Sequence, residues 1–204
     1  MSKFAAIYGH EQIKEHLQNA IRLNKVSHAY IFNGPMGSGK KMTAGIFAET
    51  LQCERHGQEP CGTCHSCIQS ESGNQPDIIW VHHEKPGSIG VDDVREQVIG
   101  DMQIKPYSSR YKIYIIDEAE KLTQQAQNAL LKTIEEPPAY GIIILLTTNA
   151  DTILQTILSR CVRLDFRPLR DTLVTQYLQE KYDLTDYECR FATAFAQGKI
   201  GRAV

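Results

Sequence analysis

The sequence predicts an α/β protein with a parallel sheet and flanking helices, and three stretches support this prediction. Residues 29–33 form a short apolar run that leads directly into a glycine-rich loop. Residues 111–116 and 141–146 are two further runs that are apolar at nearly every position. Such runs are typical of strands buried on both faces, as in a parallel sheet. Because these sheets bind ligands beyond the carboxyl ends of their strands, we expect a functional site at that edge.

Length and composition limit the class of protein. The 204 residues, 42% of them hydrophobic, suffice for one domain or for one domain with a small appendage. A net charge of −2 argues against a strongly basic nucleic-acid binder and leaves room only for a local basic patch. The first residues contain no apolar signal segment, and no apolar run approaches the roughly 18 residues of a membrane span. We therefore expect a cytoplasmic protein with no membrane partner.

The glycine-rich loop between residues 34 and 41 matches the phosphate-binding motif G-x-x-x-x-G-K-[ST] except at its last position. The backbone N–H groups of such a loop attract phosphate, and Lys40 would reach the β- and γ-phosphates. Lys41 stands where the motif has the hydroxyl that holds Mg²⁺. Thr43 would face about 200° away from position 41 on a helix, so it is a poor substitute. The candidate nucleotide contacts in the loop are Gly34, Gly37, Ser38, Gly39, Lys40 and Lys41.

Polar residues follow the two buried runs. After 111–116, Asp117 would hold Mg²⁺ and Glu118 would polarise the attacking water, as in P-loop ATPases; acids that merely cap the next helix are the alternative. After 141–146, Thr148 and Asn149 would point toward the same crevice and sense a γ-phosphate or position water. Two hypotheses stay open: a working ATPase with Mg²⁺ on Asp117 and water, and a nucleotide-binding fold without hydrolysis. ATP with Mg²⁺ is thus a candidate cofactor that Lys41 argues against.

Four cysteines form the pattern Cys-x7-Cys-x2-Cys-x2-Cys at Cys53, Cys61, Cys64 and Cys67. Two successive C-x-x-C steps with a further cysteine are typical of a closed, structural zinc site with four thiolates. His56 and His65 compete with a cysteine as fourth ligand, and the thiols could instead be unligated or redox-active. A zinc module can also bind nucleic acid, but this one lacks basic, aromatic-rich surroundings. We therefore expect Zn²⁺ to hold together an insertion at about residues 53–70.

Apolar periodicity places the remaining elements. Strands are expected over 77–82 and 162–166, and Pro168 marks a boundary beyond which residues 169–204 read as helical. Helices are expected over 10–24, after the glycine loop, and over 91–102, 122–135 and 152–158.

Several of these features occur together and in a fixed order: residues 34–41, the four-cysteine segment, residues 114–123, residues 126–138 and the triplet Ser159-Arg160-Cys161. In this combination the chain resembles bacterial clamp-loader subunits of the AAA+ class, from the DNA polymerase III holoenzyme. The resemblance covers nearly the whole chain, and residues 117–138 with the triplet are its most specific part.

The resemblance implies a AAA+ P-loop domain over residues 1–167, with the zinc module inserted, and the start of a small helical lid domain over 168–204. It also implies that Arg160 is an arginine finger acting in the ATP site of the neighbouring subunit. Arginine suits that task because it is always charged and presents a planar fork to phosphate oxygens; an ordinary surface salt bridge is the alternative. The family's first sensor falls at Thr148 and Asn149, its second sensor at Arg202, and its adenine-side turn near Tyr8 and His10.

Two subunit types of this family share these features, and the glycine loop separates them. The ATP-hydrolysing tau/gamma type has Gly-Lys-Thr where this chain has Gly39-Lys40-Lys41. The tau/gamma type also has a different sequence after the Asp-Glu pair. Both departures favour the delta-prime type, with tau/gamma as the alternative. The implied partners are tau/gamma and delta subunits in a five-membered ring, and through the ring the sliding clamp and primed DNA. The helical collar domain that joins such rings has no counterpart here, so we expect a truncated chain.

Overall fold

A computed structural model describes residues 3–83 and 85–203, and its centre is a sheet of five parallel strands. The strands run in the order β2-β3-β4-β1-β5 across the sheet. Their bounds are β1 Ala29–Asn33, β2 Ile78–Trp80, β3 Lys112–Ile116, β4 Gly141–Thr147 and β5 Val162–Asp165. The parallel sheet that the buried runs predict is therefore confirmed.

The register brings the carboxyl ends of the central strands to one edge. Asn33 at the end of β1 lies beside Thr147 of β4 and Asp165 of β5. Ile116, the last residue of β3, pairs with Leu145 of β4. The glycine loop after β1, the two carboxylates after β3 and the polar residues after β4 consequently emerge on the same side of the sheet.

Eight α-helices of four or more residues flank the sheet or follow it in the described ranges. They are α1 Glu11–Arg22, α2 Lys40–Gln52, α3 His65–Glu71, α4 Val91–Val94, α5 Gln124–Glu135, α6 Gln155–Leu158, α7 Asp171–Lys181 and α8 Asp186–Ala196. None of the described helices combines the length and the apolarity that crossing a bilayer demands.

Hydrophobic cores lie on both faces of the sheet, because successive side chains of a strand point to opposite faces. Ile144 of β4 belongs to the cluster that includes Phe47 of α2. Its neighbour Ile143 belongs to the cluster that includes Leu130 of α5. Since all seven residues of β4 are buried, this strand forms the middle of a layered α/β fold.

The helix expected over 91–102 is only partly correct. An α-helical turn ends at Val94, a wider π-helical segment follows over Arg95–Gly100, and a short 3₁₀ turn ends at Gln103. Gly100 accommodates the wide turn, since a Cβ there would lie 3.1 Å from the carbonyl oxygen of Arg95. Side-chain periodicity does not distinguish such a segment from a regular helix.

The C-terminal helices form a small cluster of their own. Buried residues of α7 and α8, among them Leu178 and Cys189, pack together with Ile200. A 3₁₀ turn over Ile200–Arg202 follows α8 and contacts the glycine loop, where the Gly201 N–H donates to the Gly37 carbonyl over 3.0 Å. The helical character expected of 169–204 is confirmed over these elements; that they begin a lid domain stays a prediction.

Candidate functional site

An open cleft of about 860 Å³ lies between the carboxyl edge of the sheet and the C-terminal helices. Among the described residues, its lining contains most of the nucleotide-site candidates: Tyr8, Gly37, Ser38, Gly39, Lys40, Lys41, Asp117, Glu118 and Thr148. Gly34, Asn149, Arg160 and Arg202 do not belong to that lining. The cleft is of the size that binds small molecules and cofactors.

The glycine loop can take its shape only with glycine at two positions. A Cβ at Gly34 would lie 2.4 Å from the carbonyl oxygen of Phe166. Gly39 has φ 92° and immediately precedes α2. The loop therefore turns sharply into the 13-residue helix α2, whose first N–H groups have no partners within the helix. This is the arrangement that attracts phosphate at a helix N-terminus.

The Lys40 side chain folds back onto its own loop. Its ammonium donates to the carbonyl oxygens of Gly34 at 2.5 Å and Pro35 at 2.9 Å. Burial lowers the pKa of Lys40, and the carboxylates of Glu120 and Asp117 partly oppose this shift. Lys40 thus lines the cleft, with its ammonium hydrogen-bonded to the loop carbonyl oxygens.

Lys41 takes the place beside Asp117 that Mg²⁺ would need. Its ammonium lies 3.3 Å from an Asp117 carboxylate oxygen and 5.2 Å from the centre of the Trp80 ring. The hydroxyl of Thr43 is buried and donates to the Gly39 carbonyl at 2.9 Å, so it does not replace the missing ligand. Mg²⁺ requires oxygen ligands in near-octahedral geometry. These residues do not fit a P-loop magnesium site.

Glu118, expected to polarise water, forms an ion pair with Lys121 and lies near the His83 ring. Its carboxylate lies 2.7 Å from the Lys121 ammonium and 3.7 Å from the His83 ring. Its backbone is left-handed, with φ 53°. Glu118 lines the cleft, but one oxygen is engaged in an ion pair that a general base would have to release.

The two sensor candidates after β4 diverge. Thr148 reaches the cleft, and its hydroxyl donates to Glu120 at 2.6 Å. Asn149 turns to the backbone instead, where its side chain accepts from the Asp151 N–H at 3.0 Å. Burial raises the pKa of Glu120, but hydrogen bonds from Thr148, from Thr147 and from the backbone N–H of Glu120 together outweigh it and hold the pKa below its usual value. Glu120 is a cleft residue that the sequence reasoning missed, since no spacing rule distinguishes it from its acidic neighbours.

The adenine-side candidates contact both the glycine loop and the C-terminal helices. Tyr8 donates its hydroxyl to Glu180 of α7, and its ring meets Tyr177 edge-on at 4.9 Å. His10 lies 3.1 Å from the Ser38 carbonyl and packs on the ring of Phe166. Burial lowers the pKa of His10. Tyr8 and Tyr177 both line the cleft and give it an aromatic surface.

The two candidate arginines lie outside the cleft lining. Arg160 follows α6 and is 40% exposed, with its guanidinium 3.0 Å from Glu135 at the end of α5. Its NH1 group also donates to the Thr156 carbonyl at 2.9 Å. Arg202 is exposed in the turn after α8, next to the Gly201–Gly37 contact. The chain's own site therefore receives neither guanidinium in this arrangement.

The four cysteines converge, as their spacing predicts. Their sulfur atoms all lie within 4.8 Å of one another, and those of Cys61 and Cys67 are 4.0 Å apart. A tetrahedral zinc with thiolate ligands needs sulfur atoms about 3.8 Å apart. Backbone N–H groups of Thr63 and Cys64 donate to the Cys61 sulfur and lower its pKa to about 6. Burial raises the pKa of Cys67 in the same cluster, so the fit to a structural zinc ion rests on the closeness of the four sulfur atoms.

Comparison with known proteins decides the family. The family model described as "DNA polymerase III, delta subunit" matches residues 9–170. The chain belongs to this family of DNA polymerase III clamp-loader subunits. It spans only about a third to a half of the length of two relatives from Bacillus subtilis.

Clamp-loader relatives of two types match. The tau subunit of Bacillus subtilis is 40% identical over 182 residues, covering 89% of this chain and 32% of that protein. The delta' subunit of the same bacterium is 36% identical over 166 residues, covering 81% of this chain and 50% of that protein. The tau/gamma subunit of Haemophilus influenzae is 38% identical over 204 residues, with shares of 97% and 29%.

Solved structures confirm the AAA+ fold. A gamma subunit-related protein of Thermotoga maritima superimposes with a TM-score of 0.61 at 24% identity, over 89% of this chain and 57% of that one. The RuvB Holliday junction branch migration motor of the same organism gives 0.64 at 17% identity, over 98% and 60%. At these identities the likeness concerns the fold alone.

Proposed function

We propose that this chain is the AAA+ part of a delta-prime-type clamp-loader subunit that hydrolyses little or no ATP itself. The observation that supports it is the Lys41 ammonium 3.3 Å from Asp117. In a P-loop ATPase that space holds the cation that neutralises charge developing on the β- and γ-phosphate oxygens. A lysine ammonium supplies one charge and no open coordination position, so the chain lacks the metal-assisted route.

The tau/gamma-type alternative, an active ATPase, has one observation in its favour. The B. subtilis tau subunit is more similar to this chain than the delta' subunit of that bacterium, at 40% against 36% identity. The retained Lys40, Asp117 and Glu118 also suit an ATPase. The difference in identity is small, however, and concerns residues spread over the fold, whereas Lys41 lies at the position that the chemistry depends on.

Turnover of ATP by the purified chain distinguishes the two types. We expect the chain with Mg²⁺ and ATP to hydrolyse at background rate. Lys41→Thr restores the hydroxyl that Mg²⁺ needs and is expected to raise turnover above that background. Robust hydrolysis by the unmodified chain would contradict the delta-prime assignment. Lys132→Met, which removes an exposed lysine of α5 outside the cleft lining, serves as the control.

Within the loader, we further propose that Arg160 acts on the ATP bound by the neighbouring subunit. Its position supports this role, because the guanidinium is exposed, lies outside the chain's own cleft and is held by Glu135. An arginine supplied in trans can stabilise transition-state charge that the host subunit does not neutralise alone. The ring partners proposed are tau/gamma and delta subunits, with the sliding clamp and primed DNA as the substrates of the whole assembly.

A further inference from the structure

We propose that the cleft binds a nucleoside triphosphate without a divalent cation, with the Lys41 ammonium in the place of Mg²⁺. This inference rests on the proposed function in one respect, since it takes Lys41 as the reason that hydrolysis is lost. It goes beyond the proposed function because it assigns the site a ligand and a mode of binding, whereas the proposed function states only that hydrolysis is lost.

The loop is built to receive an anion. Ser38 is 7% exposed, lines the cleft, and its hydroxyl is buried without a hydrogen-bond partner among the described residues. A buried hydroxyl without a partner is costly, so a shift of the loop that brings this hydroxyl to a ligand oxygen would be favourable. The N-terminus of α2 opens on the same cleft and favours negative charge there.

Lys41 is positioned as a fixed cation at the phosphate end of the cleft. Asp117 holds its ammonium by charge and the Trp80 ring faces it, while the side chain stays 69% exposed. An ammonium has three donors, and the single contact with Asp117 leaves others available for phosphate oxygens. A divalent ion at Asp117 would have to displace Lys41 and would be repelled by it. The lysine therefore favours the metal-free form of a polyphosphate over its magnesium complex.

Lys40 provides the second positive charge. Its contacts with the Gly34 and Pro35 carbonyls can be exchanged for phosphate oxygens, which are charged and make stronger acceptors. Together the two ammonium groups supply the two positive charges that one Mg²⁺ would bring. Neither lowers the pKa of a coordinated water, as a bound metal ion does, so tight binding is not coupled to hydrolysis.

The shape of the cleft points to a nucleotide rather than to a free phosphate. Its volume of about 860 Å³ exceeds the needs of a phosphate chain. Ile7, Tyr8, Leu169 and Ile200 contribute an apolar part of its lining, a surface suited to a base and sugar. The phosphates would then lie along the glycine loop, with their terminal group toward Lys41.

Calorimetric titration of the chain with ATP, once in EDTA and once with excess Mg²⁺, tests this assignment. We expect unmodified protein to bind ATP at least as tightly in EDTA as with Mg²⁺. Lys41→Met should weaken binding in EDTA by about tenfold, the usual loss for one charge-assisted contact. Lys41→Thr should show the same loss in EDTA and recover affinity when Mg²⁺ is added. Lys132→Met should bind as the unmodified chain does.

Three results would overturn the inference: binding by the unmodified chain only with Mg²⁺, no binding in either buffer, or Lys41 variants that bind metal-free ATP unchanged. These outcomes are separate from the fate of the proposed function. A chain that neither binds nor hydrolyses ATP refutes the ligand assignment and leaves the delta-prime proposal standing. A chain that hydrolyses Mg²⁺-ATP refutes the delta-prime proposal, whatever its affinity in EDTA.

Discussion

Arg160 carries an exposed guanidinium outside the chain's own cleft. Through the resemblance to clamp loaders, the triplet Ser159-Arg160-Cys161 predicts an arginine finger, with a surface ion pair as the alternative. The structure has an ion pair with Glu135, half exposed on both sides. Such pairs contribute about 0–1 kcal/mol to stability. The pair is thus compatible with a residue that leaves Glu135 when a neighbouring subunit supplies phosphate.

The prediction for Arg160 is measured on a clamp loader reconstituted with this subunit. Arg160→Ala should leave the folding of the chain unchanged and lower DNA-stimulated ATP hydrolysis by about tenfold or more, since arginine fingers contribute roughly 10³-fold or more in other P-loop enzymes. Glu135→Gln removes the same ion pair but keeps the guanidinium, so it should retain most activity. An equal loss of ATP hydrolysis in both variants would show that only the ion pair matters. No loss of hydrolysis in either variant would exclude Arg160 as an arginine finger.

Lys41 and Glu118 show the limit of residue-level prediction. The motif alone indicates that a hydroxyl is missing and that an ammonium would compete with Mg²⁺. It does not place Trp80 behind that ammonium, nor Lys121 on Glu118. Trp80 comes from β2, so its approach to Lys41 depends on tertiary packing. Lys121 lies only three residues after Glu118, so that contact is local, but it depends on the left-handed backbone at Glu118, which the sequence pattern does not indicate.

At the scale of elements, the cysteine module was the most predictable part of the chain. The cysteine spacing of this segment is typical of structural zinc sites, and the four sulfur atoms come together as that spacing predicts. The module is also tied to the core by polar contacts. Gln52, at the end of α2, donates to the Asp77 and Tyr111 carbonyls, and Gln75 donates to Ser66 of α3.

For the module we predict one zinc per chain when the protein is purified without chelator, measured by elemental analysis. Cys61→Ser removes one thiolate and should reduce the zinc content well below one, because the site then lacks a ligand. Cys161→Ser is the matched control, since that thiol lies outside the cluster, and should keep its zinc. Metal-free unmodified protein would overturn the zinc assignment, as would unchanged zinc in Cys61→Ser.

Over the whole molecule, the sheet could be predicted because three buried runs and their polar ends have no other plausible arrangement in one chain. The packing of the C-terminal helices against the glycine loop could not be predicted from the sequence. It depends on glycines that approach backbone atoms closely: a Cβ at Gly201 would lie 2.9 Å from the Cα of Gly37, and one at Gly198 would lie 2.4 Å from the Leu169 carbonyl oxygen. From the sequence alone, these glycines indicate only a turn.

We therefore expect Gly201→Ala to loosen the C-terminal helices without unfolding the sheet, because the added methyl would clash with the backbone of Gly37. Limited proteolysis should cut between the sheet and α7 faster than in the unmodified chain, since local opening exposes the backbone. Gly87→Ala is the control, because a Cβ at Gly87 meets no atom within 4 Å. Equal cleavage rates in the three proteins would show that the contact does not hold the helices.

The contact between Gly37 and Gly201 also has a thermodynamic meaning. A ligand that alters the loop backbone must work with or against the C-terminal turn that is hydrogen-bonded to it. Linkage is reciprocal, so a partner protein that shifts α7 and α8 changes the affinity for that ligand by the same factor as the ligand changes the affinity for the partner. Even with no turnover, as proposed for this site, bound ligand would affect the binding of a partner through a coupling free energy shared between the loop and the helices.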